Sequence, residues 1–243
     1  MRRYAAARVV QRTYSTPHDP GFACLASGAF YEADMARKNI MRDKWYADKR
    51  DLVKWGGIMH LLNNKDLGIK TVFQIAYYRH DSWPPLNFNG DDIPIPEKVL
   101  KYFRDINLIK KLDPRIKVFD QEFEHKNRQG YTDDLCKMLK EIQEKKIVFL
   151  DPDTGLEPRE CGCGAEHIKR KEVKQIFDSL NSGDFLVFYQ HRFWPPKDNG
   201  KTWNEIRLSE LAKACGLSRS KIKTWKANEI ANDVIFFFAE KED

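Results

Sequence analysis

Residues 147–158 read IVFLDPDTGLEP. Ile147, Val148, Phe149 and Leu150 form a short run of β-favouring apolar residues that stops abruptly at Asp151. A proline, a second carboxylate at Asp153, then Thr154, Gly155 and Glu157 follow. A continuous apolar run of this length, cut off by turn-forming residues, fits a strand buried on both faces, as in a parallel sheet. Ligands of open α/β sheets sit beyond the carboxyl ends of such strands. Asp151 therefore stands where chemistry is expected.

Two further strand exits echo each other. Tyr78-Arg79-His80-Asp81-Ser82-Trp83-Pro84-Pro85 is matched by Tyr189-Gln190-His191-Arg192-Phe193-Trp194-Pro195-Pro196, and each follows an apolar run. Each diproline stiffens the loop after it, because the rings fix φ and remove a donor. The functional reading is two loops of one pocket, with imidazoles for proton chemistry and indoles for stacking. The structural alternative is two unrelated exits whose aromatics pack as lids.

Working outward, helical and strand patterns alternate. Leu52, Trp55, Met59 and Leu62 fall on one helical face, and residues 71–78 read as a strand. After a loop at 82–96, Pro96 suits the first turn of a helix through Val99, Phe103, Ile106 and Lys110. Residues 117–123 read as a short strand. Thr132 is placed to cap a helix carrying Leu135, Met138, Leu139 and Ile142. Val173, Ile176, Phe177 and Leu180 mark another helix, and 185–189 the next strand. Thr202-x-x-Glu205 is a capping box opening a helix that ends at Gly216. Two closing strands follow, at 221–227, where lysines alternate as on an exposed edge, and at 234–240, where Phe236, Phe237 and Phe238 read as core. This order predicts a three-layer, Rossmann-like α/β domain over residues 41–243. Its sheet is mostly parallel with an antiparallel strand near one edge.

The chain has 243 residues, 42% of them hydrophobic, enough for a substantial core. A net charge of +6 makes the surface mildly basic, which suits nucleic acid as a partner without requiring it. Five scattered cysteines argue against a disulfide framework and for a reducing compartment such as the cytoplasm. Cys161-Gly162-Cys163 with His167 is a weak zinc pattern that lacks a second pair. No apolar run is long enough to cross a bilayer, and no membrane role is expected. Residues 1–40 read as an irregular arm. Its start carries Arg2, Arg3, Arg8 and Arg12 without an acid, as organelle transit peptides do. A disordered basic arm, or sequence upstream of a start at Met35 or Met41, explains it equally. Nothing in the sequence specifies an oligomeric state.

Three segments carry a resemblance. They are Asp48-Lys49-Arg50-Asp51-Leu52-Val53-Lys54-Trp55, Asp151-Pro152-Asp153-Thr154, and the closing two-strand unit. With them the chain resembles the class I, Rossmann-like S-adenosylmethionine-dependent methyltransferases, in particular the large-subunit rRNA adenine-N6 methyltransferases and the three-Cys-motif partner proteins. The first segment is similar to the family's Ala-Asp-x-x-Lys-His helix, and the second occupies the place of its Asp-Pro-Pro-Tyr. The resemblance implies S-adenosylmethionine as cofactor, held by Tyr78, His80, Lys54 and Asp120. Asp151 matches the family's catalytic position, and Asp153 and His191 are taken with it as the candidate catalytic residues. The resemblance also implies contacts to a nucleic-acid acceptor from Pro152, Thr154, Trp83, Trp194 and Arg192. Two departures stand out. The first strand exits into Tyr77-Tyr78-Arg79-His80 instead of a glycine-rich loop, so backbone cannot approach a cofactor as closely. Asp153 and Thr154 replace the family's second proline and aromatic.

Read without the resemblance, Asp151, Asp153 and Glu157 form a carboxylate set able to ligate Mg²⁺, with His80 and His191 as acid and base of a nuclease or phosphodiesterase. In a third reading the domain binds a nucleotide or a partner without catalysis. The bland reading of Asp151 is a turn cap. Lys49, Arg50 and Lys54, beside Trp45, Tyr46 and Trp55, either follow a phosphate backbone or form the solvated rim of a buried Trp55. Lys169-Arg170-Lys171 begins a helix, where the dipole disfavours positive charge; either an anion binds nearby or this is an ordinary charged surface. All the active readings share one geometric requirement: Asp151 and the two imidazole-bearing turns must lie on the same rim.

Overall fold

The computed structural model describes residues 49–79, 85–88, 90–158, 163–192 and 200–243. All lie within the unit Asn39–Asp243. The chain runs through α1 (Lys49–Asn63), β1 (Thr71–Ile75), a hairpin of β2 (Leu86–Phe88) and β3 (Asp91–Ile93), then α2 (Glu97–Phe103) and β4 (Ile116–Phe119). Next come α3 (Arg128–Glu141), β5 (Lys146–Leu150), the short β6 (Gly155–Leu156) and β7 (His167–Ile168), and α4 (Arg170–Asp178). It closes with β8 (Phe185–His191), α5 (Trp203–Cys215), β9 (Ile222–Ala227) and β10 (Ala231–Glu240).

Six strands form the main sheet in the order β4-β1-β5-β8-β10-β9. β4, β1, β5 and β8 run parallel, and β10 lies antiparallel between β8 and β9. This is the Rossmann-like, mostly parallel arrangement with an antiparallel strand near one edge that the order of elements predicts. The order reverses at β1, where the chain goes first outward to β4 and then across to β5, so β1 and β5 flank the switch point at which such sheets bind ligands.

The strands are buried on both faces, which explains their unbroken apolar runs. Successive residues still point to opposite sides. Val148 and Leu150 of β5 face a core with Leu135 and Leu139 of α3, Val173 and Ile176 of α4, and Leu211 of α5. Ile147 and Phe149 face a second core with Val53, Trp55, Ile58 and Leu62 of α1. α1 approaches closely because Gly57 has no side chain; a Cβ there would lie 2.4 Å from the Trp225 indole.

Several local expectations are corrected. Leu52 is 65% exposed, and the buried face of α1 turns through Val53, Trp55, Ile58, Leu61 and Leu62 instead. Thr132 is not a cap. It lies inside α3 and donates its hydroxyl to the Arg128 carbonyl at 2.9 Å. α3 starts earlier because a 3₁₀ turn at His125–Asn127 leads straight into it. Thr202 and Glu205 do form their reciprocal box, and Gly216 ends α5 in the left-handed conformation. Phe236 and Phe237 are buried, while Phe238 is partly exposed. Among the described residues no helix is long and apolar enough to cross a membrane.

Candidate active site at the sheet's carboxyl rim

The site grows out of the strand alternation. On β5 the residues facing α1 are Ile147, Phe149 and then Asp151. On β1, Val72 and Gln74 face the same way, Gln74 being a polar side chain between apolar Phe73 and Ile75. Asp151 and Gln74 both reach the Lys54 side of α1. The Lys54 Nζ lies 2.9 Å from Asp151 Oδ1, 3.0 Å from Oδ2 and 2.7 Å from Asp51 Oδ1. The Gln74 amide donates to Asp151 Oδ2 at 3.2 Å. The Lys54 ammonium also sits over the Tyr189 ring, 5.0 Å from its centroid.

This cluster is dry: Lys54 is 6% exposed and Asp151 1%. Burial disfavours the ammonium, but Asp151 first and Asp51 second outweigh it and hold Lys54 above the ordinary lysine value. Burial pushes the Asp151 carboxyl up, and Lys54 pulls it back. Lys54 is thus no solvated rim for Trp55 but the partner of the acidic residue at the end of the central strand.

The following loop is fastened to β8 by one buried side chain. Gln190 accepts from the Leu156 N–H at 3.0 Å and donates to the Thr154 carbonyl at 2.8 Å. Gly155 permits this with a φ of +105°, and a Cβ on it would lie 2.5 Å from the Gln190 amide. Pro152 is buried within the loop, and Asp153 and Thr154 are partly buried. Asp153 Oδ2 meets Arg79 Nη2 at 2.6 Å, so the β1 exit and the β5 loop are joined by an ion pair. Burial, opposed by Arg79, pushes the Asp153 carboxyl up to about 7. The Thr154 hydroxyl pairs with His167 Nδ1, and Glu166 lies 3.3 Å from Nε2 of that ring. Burial pulls the His167 pKa down and favours the neutral ring.

His191 lies at the end of β8, on the rim that carries Asp151. The parallel register sets Leu150 beside Phe188 and so brings both exits to one end of the sheet. His191 Nε2 is 3.3 Å from Asp233 Oδ2, an oxygen that Arg50 also binds through Nε at 3.0 Å. The Asp233 pKa is raised by burial but brought below its ordinary value by Arg50. The Arg192 side chain is exposed, and its N–H donates to the Asp233 carbonyl at 2.6 Å.

Beyond the ends of β1 and β4 opens a cleft of about 350 Å³, lined by Tyr78, Lys101, Arg104, Asn107 and Asp120 among others. Asp120 follows β4 directly and accepts from the Asn107 amide at 3.1 Å. Tyr77 adopts φ +51°, which costs a residue with a Cβ about 1–2 kcal/mol. The turn ends β1 and leads the chain from Tyr77, buried in one core, to Tyr78, buried in the other. Tyr189, the counterpart of Tyr78 in the echoed motif, packs in the same core as Tyr78.

The rim therefore gathers Asp151, Lys54, Asp153, Thr154, His191, Tyr78 and Asp120. His80, Trp83 and Trp194 lie outside the described residues. Glu157 does not join Asp151 and Asp153. Its carboxylate accepts the Arg170 N–H at 2.8 Å and pairs with the Arg170 guanidinium at 3.3 Å. The Glu157 carboxylate thus offsets the positive charge at the start of α4 from within the chain. With Asp151 held by Lys54 and Asp153 by Arg79, the carboxylates proposed for Mg²⁺ do not assemble. No group of three or more His, Cys, Asp or Glu side chains among the described residues is placed to hold a metal. Sequence reasoning passed over Gln74, Gln190, Arg79, Asp51 and Asp233. The two glutamines carried a readable signal, since each is a polar residue inside a largely apolar strand.

No family model matches the chain, and no curated protein matches it. A solved structure from Clostridium thermocellum, described provisionally as an rRNA methylase, is similar to 77% of this chain over 96% of its own, at 14% identity and a TM-score of 0.34. The fold assignment rests on the strand order and directions given above.

Proposed function

We propose that this domain binds S-adenosylmethionine beyond the carboxyl ends of β1 and β4 and transfers its methyl group to a nitrogen acceptor in nucleic acid. One observation carries this reading. The two segments most similar to the methyltransferase motifs, Asp51-x-x-Lys54 and Asp151–Thr154, meet as one buried cluster at the head of the sheet. They are 97 residues apart in the chain.

The side chains of the cleft fit such a cofactor in kind. A carboxylate at Asp120 can accept from ribose hydroxyls, Tyr78 offers a ring edge, and Glu97 and Asp105 stand beside Lys101 and Arg104 in the same lining, acids that suit a cationic sulfonium. With Tyr77 in place of glycine, side chains rather than close backbone hold the ligand. When bound, the cofactor supplies a methyl group on a positively charged sulfur. The protein then has to position and orient the acceptor. Asp151 is a positioning residue: locked to Lys54 and Gln74, it fixes the loop that presents Asp153 and Thr154. His191 borders the site with Nδ1 3.0 Å from the Arg192 carbonyl oxygen and Nε2 3.3 Å from Asp233 Oδ2, so the proton released by the acceptor nitrogen passes to solvent. The net charge of +6 supports a polyanionic acceptor.

A second reading, binding without transfer, is favoured by the burial of Asp151. At 1% exposure and ion-paired, it does not itself reach an acceptor. Calorimetric titration with S-adenosylmethionine, followed by transfer of labelled methyl to RNA and DNA, separates the two. Saturable heat that Asp120→Ala weakens, with label incorporated, supports transfer. Heat without incorporation supports binding alone. No heat at millimolar cofactor overturns both.

A further inference from the structure

β9 is the last strand of the sheet, and among the described residues no strand pairs with its outer edge. On it Trp225 lies opposite Phe236 of β10, and the two rings stack face to face, 4.9 Å between centroids and 7° from parallel. Phe236 is fully buried, while Trp225 is partly exposed. One indole face rests on Phe236, so the other is turned away from β10, off the edge of the sheet. The indole Nε1 is buried against Gly57 of α1 without a hydrogen-bond partner, so the ring offers a flat π surface and no donor. Lys223, on the same face of β9, and Lys226, the residue after Trp225, are exposed, and neither has an acidic partner among the described residues. Lys221 is paired with Glu242, and Glu229 is an exposed acid on the turn to β10. The aromatic row continues inward: Phe236 lies opposite Tyr189 of β8, over whose ring the Lys54 ammonium sits. The edge is therefore level with the Asp151 cluster.

Lysines alone would only guard an open edge against pairing. The outward indole is what points to a ligand. A free aromatic face between unpaired ammonium groups suits a planar ring that carries negative charge on either side. Unpaired nucleotides supply both, since every base has a π face and a phosphate flanks it in each direction. A duplex hides its base faces within its own stack. We propose that the β9 edge docks single-stranded nucleic acid, with one base on the outer face of Trp225 and backbone phosphates on Lys223 and Lys226. Because the indole N–H is turned inward, the stack reads no base edge, and the docking is tolerant of sequence. This inference does not rest on the cofactor reading; it gives the polyanion of that reading a place to lie, level with the rim.

The test is fluorescence anisotropy of the full chain with short labelled oligonucleotides of equal length: oligo-uridine, oligo-thymidine, an abasic strand and a duplex. Strands with bases are expected to bind roughly five- to hundredfold more tightly than the abasic strand, the worth of one base stacked on an aromatic ring. Trp225→Leu is expected to erase that difference. Lys223→Gln with Lys226→Gln is expected to lower the slope of log K against log salt by about 1.4, at about 0.7 for each phosphate contact. Lys137→Gln with Lys140→Gln, exposed on α3 over the opposite face of the sheet, is expected to change neither. The abasic comparison on the unmodified protein decides the matter even if Trp225→Leu fails to fold. No binding by any strand, equal affinity with and without bases, preference for the duplex, or an equal loss from the α3 pair overturns the proposal. A dimer in sedimentation that Trp225→Leu dissolves, with no oligonucleotide bound, assigns the edge to a second copy of the chain and overturns it too. Titration with S-adenosylmethionine keeps the two readings apart: strand binding lost with cofactor heat intact leaves the cleft reading standing, and cofactor heat absent with strand binding intact removes the cleft reading alone.

Discussion

Replacing Lys54 by Met should destabilise the domain strongly, and by more at high pH than at low. The Lys54 ammonium is the cation within 3.0 Å of both Asp151 oxygens and 2.7 Å from Asp51. Methionine matches its length but leaves Asp151, 1% exposed, with only the Gln74 amide. Breaking one side of a buried pair costs about 3–5 kcal/mol, because the abandoned charge stays desolvated. For a domain of this size each kcal/mol lowers Tm by about 2–4 °C, so a fall of roughly 6–20 °C is expected. The pH sign follows from the carboxyl left behind. Burial already raises Asp151 above its ordinary 3.8, and removing Lys54 raises it further. In the variant, the folded state keeps a proton over a range where the unfolded chain has lost it. Stability is then greatest near the unfolded pKa and falls as pH rises through the folded one. Urea denaturation at pH 5 and pH 8 should therefore show the larger deficit at pH 8. Lys54→Met combined with Asp151→Leu should recover much of the loss, since an apolar pair replaces a buried ionic one at little cost. A deficit below about 1 kcal/mol, a deficit independent of pH, or simple additivity in the double variant would refute the reasoning.

Three further outcomes follow from the same rim. Tyr77→Phe should leave stability unchanged or raise it by about 1 kcal/mol, because the Tyr77 hydroxyl is buried without a partner; a clear loss in thermal denaturation would contradict this. Gly155→Ala should cost about 1–3 kcal/mol in urea melts, since φ is +105° and the new Cβ meets Gln190 at 2.5 Å; a neutral result would mean that the loop is not pinned there. Asp153, with its carboxyl pushed up to about 7 by burial, holds its proton in the folded state where the unfolded chain has lost it. Its contribution to stability is complete below about pH 4 and disappears as pH rises through 7. Asp153→Asn should therefore flatten the urea midpoint between those values, and an unchanged slope would count against the shift.

The layer architecture was legible because it is written in periodicity. Apolar runs bounded by turn residues identify buried strands, and a capping box with a terminal glycine identifies α5. The same logic expects Asp151 and the His80 and His191 turns on one rim; Asp151 and His191 lie at one end of the sheet, and His80 is outside the described residues. Partnerships were harder to read. The pairing of Lys54 with Asp151 joins residues 97 apart, and no local pattern distinguishes a lysine bound for the interior from one on a solvated rim. Leu52 misled for a related reason. It fits a helical stripe with Trp55 and Met59, but the depth of the stripe depends on where β9 and β10 pack, which the helix alone does not record. Glu157 looked like a third metal ligand because spacing along a loop says nothing of which way its chain turns; β6 and β7 direct it to Arg170. Gln74 and Gln190 were missed although each interrupts an apolar strand, the one local sign that a buried polar contact awaits it.

A crystal structure of the protein with S-adenosylhomocysteine tests the central claim most directly. The account predicts the adenosine between Tyr78 and Asp120. Ligand density at any other place on the molecule, or a Tyr78–Asp120 cleft left without ligand at saturating concentration, would contradict it.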